Sequence, residues 1–342
     1  MSHYNLALIG FGNVGRALSR LLIKKQDELV SKYDLNFSVT GIATRSHGIA
    51  IDPKGLDIHK ALTLVESHRM LNELSKQPIP ANQLEFIREC GAQVLFENSP
   101  VNHLTGQPAV DHLRTALTLG MHAITANKGP VVYAYRELKA LAEVHDRRFL
   151  FESTVMDGAP IFSLFRTALP GAHLLGFQGI LNSCTNLILT RMEEGETFEQ
   201  AVAYAQSVGI AETDPSGDID GWDAAIKVAA LVTVLMDHPL TPQQVNPQGI
   251  RTINQTQLQA ARQSNQRWKL ICSARMQDGQ LVTRVAPTLV APNSPFYSIN
   301  GTSSYIQFEL DVLPGLGIVE NNPSPETTAY GLLADFITAV TN

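Results

Sequence analysis

Between positions 209 and 229 the chain reads GIAETDPSGDIDGWDAAIKVA, which gathers five carboxylates, Glu212, Asp214, Asp218, Asp220 and Asp223, and a single lysine, Lys227. Side chains of these types can hold a cationic group and can exchange protons. Asp214-Pro215-Ser216-Gly217 is turn chemistry, whereas Trp222, Ala225, Ile226, Ala229 and Ala230 recur at helical spacing, so an irregular loop runs into an apolar helix. Asp223 and Lys227 then stand four apart on one helix face. Taken alone, the segment supports two readings equally. It is either a reactive site or an acidic first turn, favoured by the helix macrodipole, with one ordinary ion pair. The rest of the chain must decide between them.

At 342 residues the chain exceeds the usual size of a single core, which predicts two domains. The net charge of −6, with no block of Lys or Arg, argues against a general nucleic-acid or membrane surface and points to small molecules. Cys90, Cys184 and Cys272 are widely spaced and form no CxxC pair, so neither a disulfide framework nor a zinc knuckle is expected, and a reducing cytoplasmic setting fits. No segment has the signal-peptide pattern or the roughly 18 apolar residues of a membrane span.

A short apolar run over 5–9 leads directly into Gly10-Phe11-Gly12-Asn13-Val14-Gly15 and then into a segment of helical spacing. In that context GxGxxG is the dinucleotide fingerprint. Gly10 permits the tight turn, Gly12 lets the backbone approach a pyrophosphate, Gly15 allows close packing of the helix, and the helix N-terminus supplies N–H donors. A second strand over 36–43 ends in Thr44-Arg45-Ser46, where an NAD site usually places an acid on the ribose hydroxyls. A cation between two hydroxyls suits a 2′-phosphate instead, so NADP(H) is favoured and NAD(H) stays open. The competing reading of Arg45 is a solvated loop arginine.

Strands are expected over 93–96 and 121–125, with helices over 109–119 and 131–145, continuing the βαβ alternation. The first strand ends in Glu97-Asn98-Ser99-Pro100 and the second in Thr125-Ala126-Asn127-Lys128-Gly129-Pro130. Ligands of a doubly wound sheet gather at the carboxyl ends of its strands, which brings Asn98, Ser99 and Lys128 to the cofactor crevice. A strand over 148–154 closes this cofactor domain, residues 1–150. Residues 151–313 then read as an α+β domain with strands near 174–181, 268–274, 281–285 and 305–310. Asn182-Ser183-Cys184-Thr185-Asn186 opens one of its helices. Finally, Pro314-Gly315-Leu316-Gly317 precedes an apolar helix over 327–340 that is placed to complete the first domain.

With GFGNVG, TANKGP, GILNSCTNLILTRMEEG and the acidic segment read in order, the chain resembles the homoserine dehydrogenases over essentially its whole length. The resemblance implies an α/β fold: a Rossmann-type doubly wound cofactor domain plus an α+β catalytic and dimerisation domain with an open sheet. It implies a homodimer that reduces L-aspartate 4-semialdehyde to L-homoserine with NADPH or NADH. The family's catalytic lysines fall on Lys227 and Lys128. Its substrate-binding carboxylates fall on Glu212 and Asp223 with Asp218 nearby, and its substrate loop on Asn182 and Thr185. The cofactor contacts implied are Gly10, Phe11, Gly12, Asn13, Val14, Gly15, Thr44, Arg45, Ser46, Asn98, Ser99, Lys128 and Gly317. Such chemistry uses carboxylates to hold the substrate ammonium and a lysine to protonate the alkoxide formed as hydride arrives.

Some members hold a monovalent cation, Na+ or K+, on a segment that matches Glu152 and the carbonyls of Val155, Asp157 and Ala159. Asp157 departs from the small residue often found there. Ser183-Cys184 stands where the family more often has Gly-Thr, which bears on substrate preference. No kinase or ACT-type segment is present in the sequence. Two other readings compete: an enzyme of the same architecture acting on another small amino or oxo acid, and a silent dinucleotide-binding sensor. Lys128 and Lys227 together argue against the sensor.

Overall fold

A computed structural model of the chain describes residues 1–341. The chain divides into two compact units, Met1–Pro160 with Ser324–Asn342, and Ile161–Pro323. The first is built on strands β1 (Ser2–Ile9), β2 (Leu35–Ala43), β3 (Ile49–Ile51), β4 (Val94–Glu97), β5 (His122–Thr125) and β6 (Phe149–Leu150). Their order is β3-β2-β1-β4-β5-β6, with every neighbouring pair parallel except β2 and β3. β1 and β4 lie side by side where the winding reverses, so their carboxyl ends frame the crevice of a doubly wound sheet. Such a sheet needs both faces covered. That is why Leu6, Leu8 and Ile9 of β1 and Val94, Leu95 and Phe96 of β4 are apolar without alternation and fully buried.

One of those faces is covered by the helices Asn13–Tyr33 and Pro325–Thr341, which pack on each other. Leu18, Leu22 and Leu29 from the first and Leu332, Leu333 and Phe336 from the second belong to the same core cluster. Phe336 is completely buried and meets Phe96 and Tyr4 edge to face. Burying each side chain of this size contributes roughly 1.5–3 kcal/mol, so the C-terminal helix is an integral part of the cofactor unit.

The second unit carries a five-stranded antiparallel sheet of β7 (Leu174–Ile180), β8 (Arg267–Gln277), β9 (Gln280–Val290), β10 (Ser304–Leu310) and β11 (Leu316–Glu320), in the order β11-β10-β7-β8-β9. Helix Trp222–Leu235 packs against β8 and β9, and helix Ser183–Glu193 against β8. The first of these helices is apolar on nearly every side, from Ala224 to Val232 with Lys227 as the exception, and a helix of that composition has to be buried.

Four local expectations are corrected. The strand over 148–154 is only Phe149–Leu150, followed by a 3₁₀ turn at Glu152–Thr154, because the amide of Glu152 donates to Asp335 Oδ2 (2.8 Å) instead of to a sheet neighbour. The helix over 131–145 is two helices, Lys128–Tyr133 and Tyr135–Val144, broken at Ala134, whose φ of −140° and ψ of 16° lie outside the helical region. Pro314 to Gly317 does not lead straight to the last helix: β11 intervenes and pairs with β10. The units therefore divide at Pro160 and Ser324, later at both seams than Leu150 and Pro314. Finally, β3 and helix Gln83–Glu89 had no counterpart in the sequence reading.

Candidate functional site

In the first unit, the turn after β1 is fixed by steric necessity at two glycines. Gly10 has φ +87°, and a Cβ there would lie 2.4 Å from the Asn98 carbonyl oxygen, so β1 and β4 can end side by side only with glycine. A Cβ on Gly15 would lie 2.4 Å from the carbonyl oxygen of Gly10. Gly12 differs from both, since a Cβ there meets nothing within 4 Å. Packing does not demand this glycine. It opens onto space at the N-terminus of helix Asn13–Tyr33, and no side chain caps that terminus. Its first N–H groups point into the same space, the arrangement that receives a phosphate.

Phe11 and Gly15 are buried beneath the turn, and Asn13 and Val14 begin the helix. Arg16, which the fingerprint does not specify, donates to the Gly12 carbonyl (3.3 Å) and Asn13 Oδ1 (2.8 Å), placing a guanidinium beside the turn. At the end of β2, Thr44 is tied into its own loop, accepting from the His47 amide and donating to the Gly48 carbonyl. Ser46 contacts the His47 ring. Arg45 between them is exposed and makes no ion pair or hydrogen bond among the described residues.

At the end of β4, Glu97 is completely buried and acts as a hub. It accepts from the Ser99 hydroxyl, faces His112 Nδ1 at 3.3 Å, and its carbonyl takes the Thr125 hydroxyl at 2.7 Å. Thr125 in turn orders the Asn127 amide. Asn127 caps helix Lys128–Tyr133 through Gly129 N and donates to the Ser99 carbonyl. The chain of contacts fixes the loop carrying Lys128 at the carboxyl end of β5. Asn98 sits at the same edge with both side-chain amide atoms buried and unpartnered, a condition that calls for a ligand. The open Gly12 position, the uncapped helix and the orphaned Asn98 amide together fit a dinucleotide.

Glu152 lies in its 3₁₀ turn only 4% exposed. Asp157 holds φ +41° and turns its carboxylate to Ser324 N (3.0 Å) and Thr327 Oγ1 (2.8 Å), capping the C-terminal helix. Val155 and Ala159 bracket it. Among the described residues no group of three or more His, Cys, Asp or Glu is arranged to hold a metal. Gly317 stands on β11 in the second unit, opposite Gln307.

In the second unit, Asn182 caps helix Ser183–Glu193, its Oδ1 accepting from Thr185 N and Thr185 Oγ1, both at 2.8 Å. That orientation turns Nδ2 towards two carboxylates, Asp218 Oδ1 at 2.7 Å and Asp223 Oδ2 at 3.0 Å. Lys227 completes the cluster, with Nζ 3.3 Å from Asp223 Oδ2 and 2.6 Å from the carbonyl oxygen of Leu181. A lysine on a buried helix has to be paired, and here its partners are part of the acidic site. The loop bearing Asp218 is held by backbone: the amide of Ile250 donates to the Ile219 carbonyl, and Gly249 passes so close that a Cβ would be 2.1 Å from that oxygen.

The structure therefore brings together Asn182, Thr185, Asp218, Asp223 and Lys227. It leaves Glu212 exposed on the loop. Asp220 is taken up by a two-pronged pairing with Arg251, and Asp214 only orders Ser216. Cys184 hydrogen-bonds Asp218, and burial first, then that carboxylate, push its thiol well above the usual range. Burial likewise pushes Cys272 up to about 12, with Lys227 pulling the other way. Both thiols are thus protonated and no nucleophile for this site.

Three comparisons bear on this arrangement. The family model described as homoserine dehydrogenase, NAD binding domain, matches residues 10–152, and the one described as homoserine dehydrogenase matches 160–337. The NAD(+)-dependent homoserine dehydrogenase of Pseudomonas canavaninivorans is 35% identical over 98% of this chain and 96% of its own. The homoserine dehydrogenase of Methanocaldococcus jannaschii is 36% identical, covering 97% of each. Among solved structures, a hyperthermophilic archaeal homoserine dehydrogenase mutant in complex with NADPH superposes with a TM-score of 0.82 at 28% identity, over 99% of this chain and 98% of that one. The chain belongs to the homoserine dehydrogenase family.

Proposed function

We propose that this member of the family reduces L-aspartate 4-semialdehyde to L-homoserine and draws on NADPH in preference to NADH. The observation that carries the catalytic part is the Asn182–Asp218–Asp223–Lys227 network, in which one lysine and two carboxylates are locked together on buried elements. When bound, the nicotinamide supplies the hydride. Asp218 and Asp223, with Glu212 on its exposed loop, offer negative charge to the substrate ammonium. Asn182, itself held by Thr185, fixes the spacing of the first two. Lys227 gives its proton to the alkoxide oxygen as the aldehyde carbon receives hydride, and Lys128 is the cofactor unit's lysine for the same reaction.

Relatives divide on the cofactor, one named NAD(+)-dependent and another solved with NADPH. Support for NADPH comes from Arg45, whose exposed side chain follows β2 between Thr44 and Ser46. Arg45→Asp replaces a phosphate-pairing cation with an acceptor for ribose hydroxyls. A charge-assisted bond of roughly 1.5–3 kcal/mol sets the expected shift in the NADPH:NADH ratio of kcat/KM at about tenfold or more towards NADH. Unchanged constants for both cofactors would remove Arg45 from the site.

A homodimer is the assembly this reading carries. A reducing cytoplasmic location is supported by three cysteines that are all free and buried, and no described helix is long and apolar enough to cross a membrane. A monovalent cation on Glu152 and the carbonyls of Val155, Asp157 and Ala159 is supported by the burial of Glu152.

A further inference from the structure

Lys269 on β8 is completely buried, yet the chemistry above makes no use of it. Each of its three N–H donors meets a neutral acceptor: Asn186 Oδ1 at 3.0 Å, Asn300 Oδ1 at 3.1 Å and the carbonyl of Ile299. The charges nearest to it are Glu193, at the far end of helix Ser183–Glu193, and Arg267 on its own strand, and these two face each other at 3.8 Å. A buried ammonium without a direct carboxylate partner is costly, and an apolar side chain of the same length would be cheaper for stability alone. Its retention asks for another reason.

That reason lies in what the ammonium grips. Asn186 stands one turn along the helix whose N-cap, Asn182, holds Asp218 and Asp223. The same helix is stitched to the loop before β10 along one face. Asn186 Nδ2 donates to the carbonyls of Ile299 (3.3 Å) and Ser303 (3.1 Å), the amide of Gly301 donates to Thr190 Oγ1 (3.0 Å), and the hydroxyls of Ser183 and Ser304 lie 3.4 Å apart. Lys269 is the point where sheet, helix and loop are joined, since Asn186 and Asn300 both converge on its Nζ.

We propose that Lys269 is a positioning residue for substrate binding: by clamping Asn186 to the 299–303 loop it sets the register of helix Ser183–Glu193 and thereby the reach of Asn182 to Asp218 and Asp223. The inference rests on the assignment of those carboxylates to the substrate ammonium. Burial, with a smaller push from Arg267 and an opposing pull from Glu193, brings the lysine down from its usual range to about 8. A neutral amine has one donor fewer for three acceptors, so the clamp loosens as pH rises through that value. The sign for stability is opposite. With the folded value below the unfolded one, this group makes the fold more stable with rising pH between about 8 and the ordinary lysine range. Loss of the clamp should therefore appear in the substrate constant and not as melting.

The test compares Lys269→Met and Asn300→Ala with the wild-type homodimer, by KM for homoserine and for NADP+, turnover, and Tm across pH 7 to 10. Asn300→Ala, at a partly buried residue, removes an acceptor that Lys269 shares with Arg267 Nη1 (2.7 Å) and keeps the question open should the buried variant fail to fold. The expected result is a homoserine KM raised about tenfold by Lys269→Met and about threefold by Asn300→Ala, with the NADP+ KM unmoved. The homoserine KM of wild type should rise on the alkaline side of pH 8, and that rise should be flattened in Lys269→Met. Wild-type homoserine KM in folded variants, including variants that only lose Tm, would overturn the proposal. Asp223→Asn, measured beside them, separates the two layers. A raised KM there with none in the clamp variants sinks only the positioning role, whereas no change in Asp223→Asn sinks the substrate assignment beneath it.

Discussion

Lys227→Ala is expected to lower turnover by on the order of a hundredfold or more, the usual contribution of a positioned acid or base, with NADPH binding and fold intact. The expectation comes from the surroundings of the amine. Lys227 sits between completely buried Ile226 and Val228, and its Nζ is held by Asp223 and the Leu181 carbonyl. A proton donor kept in one orientation adds no reorganisation to the step it serves. Lys227→Arg should not restore the rate, because a guanidinium stays protonated and cannot cycle a proton at working pH. Both variants are measured by steady-state kinetics beside a direct NADPH titration. Wild-type turnover in Lys227→Ala, with cofactor bound normally, would return the helix to an ordinary i, i+4 ion pair.

Gly12→Val is expected to leave the unliganded protein with a near-wild-type Tm while weakening NADPH binding by at least about tenfold. Gly12 has φ −75°, so no left-handed strain demands glycine, and its Cβ would enter open space. That space is where the helix N-terminus would receive the pyrophosphate, and added carbon atoms there compete with the ligand and with nothing else. Gly10→Ala makes the contrast: its Cβ would strike backbone of Asn98 at a position of φ +87°, so Tm should fall before any ligand is added. Thermal melts with and without NADPH check both. A Gly12→Val protein that binds NADPH as tightly as wild type would move the cofactor away from this turn.

The parts of this molecule that were legible in the sequence are those set by local rules. GFGNVG announces a strand, a tight turn and a helix, with Gly10 and Gly15 at positions where packing admits nothing larger, and the structure has all three. The spacing of Asp223 and Lys227 on an apolar helix also follows from one turn of geometry. What stayed hidden depends on partners distant in the chain. β11 was read as a lead-in to the last helix because its five residues carry no strong strand pattern; it becomes a strand by pairing with β10.

Glu152 leaves its strand because Asp335, from the other end of the chain, takes its amide. Asp157 looked like a departure at a cation segment, and only the folded chain shows its carboxylate capping the C-terminal helix. Glu97 and Lys269 did leave a signal, a charged residue at an inward position among apolar neighbours, but their partners His112, Thr125, Asn186 and Asn300 have no fixed spacing from them.

The most direct test of the whole account is the initial rate of NADPH oxidation by the purified protein with L-aspartate 4-semialdehyde, run beside NADH and beside homoserine-dependent reduction of NADP+. The predicted result is oxidation that requires the semialdehyde, yields homoserine and has a higher kcat/KM with NADPH than with NADH. A folded protein that binds NADPH but neither oxidises it with the semialdehyde nor reduces NADP+ with homoserine would contradict the account.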